Sequence, residues 1–249
     1  MRIELIGLEG LPEVRPGDDL AALVCDAAET QRTPIVGGDV VVVAQKIVSK
    51  SEGRVVPLNA VVASPLAVSW GEEHGIDARV VELVLRESRR IVRMDRGVLV
   101  TETHGGHVCA NAGVDLSNVA GGSAVTLLPR DCDASAKKIQ EGIQSRLARD
   151  VAVVVSDSFG RPWREAQVNV ALGVAGMAPV VDHAGKRDPQ GHLLRASAHA
   201  IADEIAAAAG LVAGKLARIP VVLVRGARYE KGESSCRPLL RAKERDLFR

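Results

Sequence analysis

Residues 39–54 read Asp-Val-Val-Val-Val-Ala-Gln-Lys-Ile-Val-Ser-Lys-Ser-Glu-Gly-Arg, and this stretch carries most of the information about the fold. Its first part, residues 39–45, has the length of a strand and an apolar centre, which is typical of a strand buried on both faces of a sheet. A second run of this kind occupies residues 151–155. Together with the helical patterns between them, these runs predict an α+β (mixed α/β) protein.

Further helices and strands are predicted around the two runs, without strict alternation. The predicted strands cover residues 3–8, 97–101, 107–110 and 220–224. The predicted helices run from Asp18 or Asp19 to about Thr30, over residues 77–90, from caps at Asp133 and Ser135 to about Leu147, and over residues 201–216. No internal repeat or linker interrupts the pattern, so residues 1–249 are expected to form one unit.

The composition excludes several classes of protein. Lys and Arg number 32 against 31 Asp and Glu, so no bulk charge attracts nucleic acid or acidic membranes. Aromatic residues make up 2%, too few for a platform that stacks single-stranded bases. No apolar run approaches the ~20 residues of a membrane span, the N-terminus lacks a signal-peptide pattern, and the four cysteines form no CxxC pair. We therefore expect a cytoplasmic protein that binds neither nucleic acid nor membranes.

Four segments place polar side chains where the predicted strands give way to loops. They are residues 7–18, 43–54, 108–118 and 151–164. Each has a purely structural interpretation. The first segment would be an ordinary connector and the second a solvated basic turn. The third would be a tight turn whose Asn and Asp side chains bond their own backbone, and the fourth a turn capped by Asp157.

Each segment also has a functional interpretation. The glycines of residues 7–18 allow backbone to approach a ligand, and Lys46 and Lys50 suit phosphate oxygens. Asp115 and Asp157 suit a hard cation, and Ser158 adds a hydroxyl. Two carboxylates with several cations indicate a metal-dependent phosphoryl-transfer enzyme, and the residues alone lead no further.

In their order along the chain, these segments resemble the coenzyme F420-0:L-glutamate ligase family. Any one motif is weak, but the ordered set is specific and spans almost the whole chain. The resembling stretches are Gly-Leu-Pro-Glu-Val with Pro-Gly-Asp (10–18), Ala-Gln-Lys-Ile-Val-Ser-Lys-Ser-Glu-Gly-Arg (44–54), Cys-Ala-Asn-Ala-Gly-Val-Asp-Leu-Ser-Asn-Val (109–119), Ser-Asp-Ser-Phe-Gly-Arg-Pro-Trp-Arg (156–164), and shorter matches at 187–191, 202–206 and 219–226.

The resemblance implies a two-lobed protomer with interleaved lobes in an intertwined homodimer. It implies a GTP-dependent ligase that joins L-glutamate to coenzyme F420-0 through an amide bond and an acyl-phosphate intermediate, and then adds γ-linked glutamate. The implied cofactors are Mg²⁺ or Mn²⁺, assisted by potassium. It also implies the single-domain form of the family, without a nitroreductase-like flavin extension.

The resemblance also assigns residues. The residues implied to contact GTP are Leu11, Pro12, Glu13, Val14, Gln45, Lys46, Lys50 and Asn118. Asp115 and Asp157 would bind one divalent cation and Ser158 a second, and the reacting centre would consist of Asp115, Asp157 and Lys50. Gln45 is a departure, since other members carry Ser there, and residues 212–217 also differ, so no contact is assigned to them. The alternatives are a ligase for another acceptor and a nucleotide-binding dimer without turnover.

Overall fold

The protein is described by a computed structural model that covers residues 1–116, 122–232 and 234–247. Its centre is a five-stranded sheet in the order β1-β12-β2-β8-β9. The strands are β1 (Glu4–Leu8), β2 (Val40–Ala44), β8 (Ala152–Arg161), β9 (Arg164–Ala175) and β12 (Val221–Arg225). β2 and β8 run parallel, with Val40 opposite Ala152, and the other pairs are antiparallel.

Helices cover both faces of this sheet. On one face, Val41, Val43, Val153 and Val155 pack with α1 (Leu20–Thr30) and α5 (Cys132–Leu147). On the other face, the alternate residues of β2 and β8 pack against α6 (Ile201–Ala213). The prediction that both valine-rich runs are strands buried on two faces is therefore confirmed.

The residues between β2 and α5 form smaller clusters of their own. After the short α2 (Gln45–Ser51), β3 (Val55–Pro57) pairs with β7 (Ala124–Thr126), and β4 (Ser88–Asp95), β5 (Val98–Thr103) and β6 (Val108–Ala110) form a three-stranded sheet. The helices α3 (Pro65–His74) and α4 (Ala78–Arg86) pack on them, and β10 (Val181–Asp182) pairs with β11 (Ala198–His199) nearer the C-terminus. The two-lobed arrangement and the domain boundaries stay predictions. No helix of the described residues is long and apolar enough to span a membrane.

Three predicted helix bounds were wrong. The helix predicted over residues 77–90 ends at Arg86, because the following residues pair with β5, with Arg90 opposite Glu102. The cap of α5 is Asp131, whose Oδ1 accepts from the Ala134 amide at 2.9 Å, rather than Asp133 or Ser135. The last helix ends at Ala213 instead of residue 216, because Gly214 turns the backbone with φ at 56°.

Two further predictions about residues near the sheet edge also differ from the structure. Residues 45–51 form the helix α2 and are not a turn. The second valine-rich run extends to Arg161, because β9 supplies an antiparallel partner that the sequence pattern did not reveal. The predicted cap of α1 at Asp19 is confirmed, since its side chain accepts from the Ala22 amide.

Glu82 on α4 holds the start of α3 and gives a prediction for stability. The Ser64 amide donates to its carboxylate at 2.9 Å, and the Arg86 Nε does so at 2.8 Å. The Ser64 hydroxyl and amide, with Arg86, lower the pKa of Glu82 from 4.5 to about 2. The ionised carboxylate therefore stabilises the fold above about pH 4.5, and this contribution is lost as the pH falls to about 2.

We expect Glu82→Gln to lower the free energy of unfolding by about 1–3 kcal/mol at pH 7, because an amide is a weaker acceptor for three donors. The difference from the unmodified protein should shrink towards pH 2. Urea unfolding at several pH values measures it, with the exposed Glu72→Gln as a matched control on α3. A difference that does not depend on pH would contradict the assignment.

Candidate active site

The site lies at the edge of the sheet where the parallel strands β2 and β8 end. Ala44 is opposite Ser156, so the residues that follow in each chain segment lie side by side. α2 begins directly at Gln45 and carries Lys46 and Lys50 one turn apart, which puts both cations on one helix face. The carboxyl ends of parallel strands are the usual place for ligands in sheets covered by helices.

Asp157 lies inside a strand, which excludes the interpretation that it caps a turn. It is paired with Val170 of β9, and Ser158 is paired with Asn169. The prediction that the strand gives way to a loop at residue 156 was wrong, because pairing with β9 continues β8 to Arg161. A strand fixes the backbone of Asp157 more firmly than a loop would, which suits a ligand-binding carboxylate.

Lys46 joins this edge to Asp115, which is 69 residues away in sequence. Its Nζ donates to the Asp115 Oδ2 at 2.7 Å, and the lysine side chain is only 18% exposed. The Asp115 amide and carbonyl exchange hydrogen bonds with Thr126 of β7. The structure therefore rules out a solvated basic turn for Lys46 and fixes Asp115 by backbone contacts.

Asp157 and Asp115 lie close enough to influence each other. Burial and, to a smaller extent, the charge of Asp115 raise the pKa of Asp157 from 3.8 to about 6. The Ser158 amide, Lys46 and Lys215 act in the opposite direction. A carboxylate that is costly to ionise, beside a second carboxylate and two lysines, is a group with a strong demand for a cation.

Ser158 supplies a third oxygen to this edge. Its hydroxyl donates to the Asn169 Oδ1 at 2.8 Å, so the lone pairs of the hydroxyl oxygen are left to accept or to ligate. Within residues 1–116, 122–232 and 234–247, no three His, Cys, Asp or Glu side chains come together as a metal site. The carboxylates of Asp115 and Asp157 nevertheless suit a hard cation such as Mg²⁺, which commonly completes its shell with water and substrate phosphates, and the Ser158 hydroxyl suits a second cation.

The loop before α1 approaches the same helix. The Lys50 Nζ donates to the Glu13 Oε1 at 2.5 Å, which ties residues 11–14 to α2. Pro12 and Glu13 are exposed and Leu11 is half-buried, whereas the Val14 side chain is in the core. Val14 could thus contact a ligand only through its backbone.

Gln45 is almost completely buried, at 1% exposed. Its Oε1 accepts from the Ser49 hydroxyl at 2.8 Å, and its Nε2 has no hydrogen-bond partner within the described part of the chain. Asn118, the remaining residue implied to contact GTP, lies outside the described residues.

No role is predicted from the sequence for Lys215 or Cys109, although Cys109 begins one of the resembling stretches. Lys215 follows α6 and contributes positive potential at Asp157. Burial and, to a smaller extent, the Asp157 charge raise the pKa of the Cys109 thiol to about 12, so the thiol is not a nucleophile at neutral pH. No local pattern could have found either residue, because only the packing of distant segments places them beside Asp157.

The fold and the site define a mixed α/β enzyme in which two carboxylates and several lysines converge beside parallel strands. The family model for F420-0:Gamma-glutamyl ligase matches residues 10–226, and the chain belongs to that family. Three similar proteins carry the name Coenzyme F420:L-glutamate ligase. They come from Methanothermobacter thermautotrophicus (45% identical, all of both chains covered), Methanopyrus kandleri (41%, all of this chain and 98% of the relative) and Methanocaldococcus jannaschii (39%, all of this chain and 97% of the relative).

Proposed function

We propose that this protein is a GTP-dependent ligase that joins L-glutamate to coenzyme F420-0 and then adds γ-linked glutamate. Membership of the ligase family supports the substrates. The observation that carries the chemistry is the convergence of Lys46, Asp115 and Asp157 at one sheet edge. We further propose that it acts as an intertwined homodimer in the cytoplasm, assisted by potassium.

The proposed reaction has two steps, because a free carboxylate has no leaving group for an amine to displace. In the first step, a carboxylate oxygen of F420-0 attacks the γ-phosphorus of GTP, the bond to the bridging oxygen breaks, and GDP leaves. In the second step, the glutamate amine attacks the acyl carbon, the bond to phosphate breaks, and the amine loses a proton. One amide, one GDP and one phosphate result.

The first step brings two anions together. Two unit charges ~4 Å apart repel by ~4 kcal/mol at an effective dielectric near 20. Lys46 and Lys50 on one face of α2, with Lys215 beside Asp157, would offset this repulsion and orient the phosphates. Lys46 is held by Asp115 and Lys50 by Glu13, so both ammonium groups are positioned before a ligand arrives.

Asp115 and Asp157 would hold a divalent cation, Mg²⁺ or Mn²⁺, and Ser158 a second. A cation bound there supplies charge neutralisation at the phosphate oxygens. The residues themselves bind and orient: β8 and β9 fix Asp157 and Ser158, and the Thr126 pairing fixes Asp115.

The test is to incubate the purified protein with F420-0, L-glutamate, GTP and Mn²⁺ and to record the deazaflavin products by mass spectrometry. We expect products heavier by one or more glutamate residues, and none when GTP is omitted. GTP that is bound but not consumed would show a nucleotide-binding dimer without turnover. GTP consumed with another carboxylate in place of F420-0 would show a ligase for a different acceptor.

A further inference from the structure

A second concave site lies next to the carboxylates and is not explained by them. It is a cavity of about 540 Å³ between the end of β5, the start of α5 and the C-terminal segment that contains Arg237. This volume is typical of a site for a small organic molecule. None of the residues implied to contact GTP that the structure describes lines it.

The lining of the cavity is mixed, with polar and apolar surface in similar amounts. Its apolar part includes Ala112, Leu128, Pro129, Leu172 and Leu240, and its polar part includes the rings of two histidines, His104 and His107. Ala112 and Leu172 are almost completely buried. A cavity of this size that combines apolar side chains with a few polar groups favours an organic molecule over a small, fully hydrated ion.

The three acidic residues of the lining already have partners. Glu87 accepts from the Arg54 Nη2 at 2.5 Å, and Asp131 accepts from the Ala134 amide in the first turn of α5 at 2.9 Å. Asp133 accepts from the Val174 amide at 2.9 Å, the Cys236 amide at 3.0 Å and the Ser235 hydroxyl at 3.0 Å. These donors, together with the positive end of α5, offset the negative charges within the protein.

Two cationic side chains of the lining, unlike the acidic ones, point to a ligand. Arg130 and Arg237 are exposed, and neither guanidinium makes a hydrogen bond or ion pair with another residue in the described ranges 1–116, 122–232 and 234–247. Arg130 directly precedes the cap of α5, and Arg237 directly follows Cys236. A guanidinium binds phosphate and carboxylate oxygens in a bidentate fashion, so this pair suits the anionic end of a ligand.

The cavity adjoins the carboxylate site. His107 lines it and packs edge-on against Phe159, with ring centroids 6.5 Å apart, and Phe159 lies two residues beyond Asp157 on β8. Ala112 is three residues before Asp115 in sequence. A ligand in the cavity therefore lies near the strand that carries Asp157.

We propose that this cavity, with Arg130 and Arg237, binds the acceptor substrate of the ligation, a planar heterocycle that carries a phosphodiester or carboxylate group. The inference rests on the proposed function, since it identifies the second substrate of the same site. It gives the two anionic substrates different cationic groups: the lysines of α2 for the nucleotide, and Arg130 and Arg237 for the heterocyclic acceptor.

The test compares Arg130→Ala/Arg237→Ala with the unmodified protein, using F420-0 as the probe. Both arginines are exposed, so the fold should be kept, and Arg149→Ala is the matched control, since Arg149 is exposed and lies outside the cavity. We expect the Kd for F420-0, measured by fluorescence titration without GTP, to rise tenfold or more in the double variant. The Kd for GTP, measured by calorimetry with Mn²⁺, should not change.

Three results would overturn the proposal. The double variant could ligate with an unchanged KM for F420-0, which would reject the cavity but keep the ligase. GTP binding could fall in place of F420-0 binding, which would make the cavity a nucleotide site. The unmodified protein could fail to bind F420-0 at all, and if it also forms no glutamylated product, the proposed function fails with it.

Discussion

Replacing Asp157 with Asn is expected to lower the rate of glutamylation by a factor of about 10³ or more while leaving the fold intact. The amide keeps the size of the side chain and its place in β8, but it removes the negative charge that would hold the divalent cation. Charge stabilisation worth about 4 kcal/mol corresponds to about a thousandfold in rate.

The same substitution should stabilise the protein when no divalent cation is present. The pKa of Asp157 is raised from 3.8 to about 6 in the folded protein, chiefly by burial. Above that pH the carboxyl is ionised in both states, and the charge costs free energy only in the folded state. Stability is therefore lost as the pH rises between 3.8 and about 6, and Asn removes the loss. We expect a gain of about 1–2 kcal/mol at pH 8, a modest value because the side chain is partly exposed, and no gain below pH 3.8.

Two measurements check the prediction. Calorimetric titration with Mn²⁺ should show lost or strongly weakened binding, and thermal unfolding in EDTA should show a raised Tm at pH 8. Asp26→Asn, at an exposed position on α1, is the matched control and should change neither. An Asp157→Asn protein that unfolds more easily in EDTA at pH 8 would show that the carboxylate serves the fold rather than a cation.

Replacing Arg225 with Leu is expected to lower the free energy of unfolding by about 3–5 kcal/mol, because it leaves a buried carboxylate without its partner. Asp39 precedes β2 and is 1% exposed, and it accepts from the Arg225 Nε at 2.9 Å and Nη2 at 2.7 Å. Arg225 also donates to the Pro34 carbonyl. This pair connects the start of β2 to the end of β12 in the central sheet.

Urea unfolding measures this loss, and Arg93→Leu provides the matched control. Arg93 pairs with Asp95 at 2.6 Å, but its side chain is 71% exposed, so its removal should cost no more than about 1 kcal/mol. The two variants should therefore differ several-fold in the free energy of unfolding that they lose. Equal losses would contradict the role of burial. Arg225→Lys should recover only part of the stability, because an ammonium cannot bind both carboxylate oxygens in the same way.

The local features of this chain could be predicted from the sequence. The valine-rich runs at 40–44 and 151–155 have the length and composition of buried strands, and Asp19 has the position of a helix cap; the structure confirms all three. The ordered motifs identified the family, which the family model and the relatives confirm. These signals lie within a few residues of one another, so they depend only on side-chain periodicity and on local hydrogen bonds.

The site itself was decided by tertiary structure. Asp157 lies in a strand because β9 pairs with it. Lys46 meets Asp115 because β3, which follows α2, pairs with β7, and Asp115 is bonded to Thr126 of β7. The approach of Lys215 to Asp157 and the cavity beside Arg130 and Arg237 have the same origin. A sequence records which residues can pair or bind, but contacts between residues far apart in the chain depend on how the strands are ordered and paired, and no local pattern specifies that order.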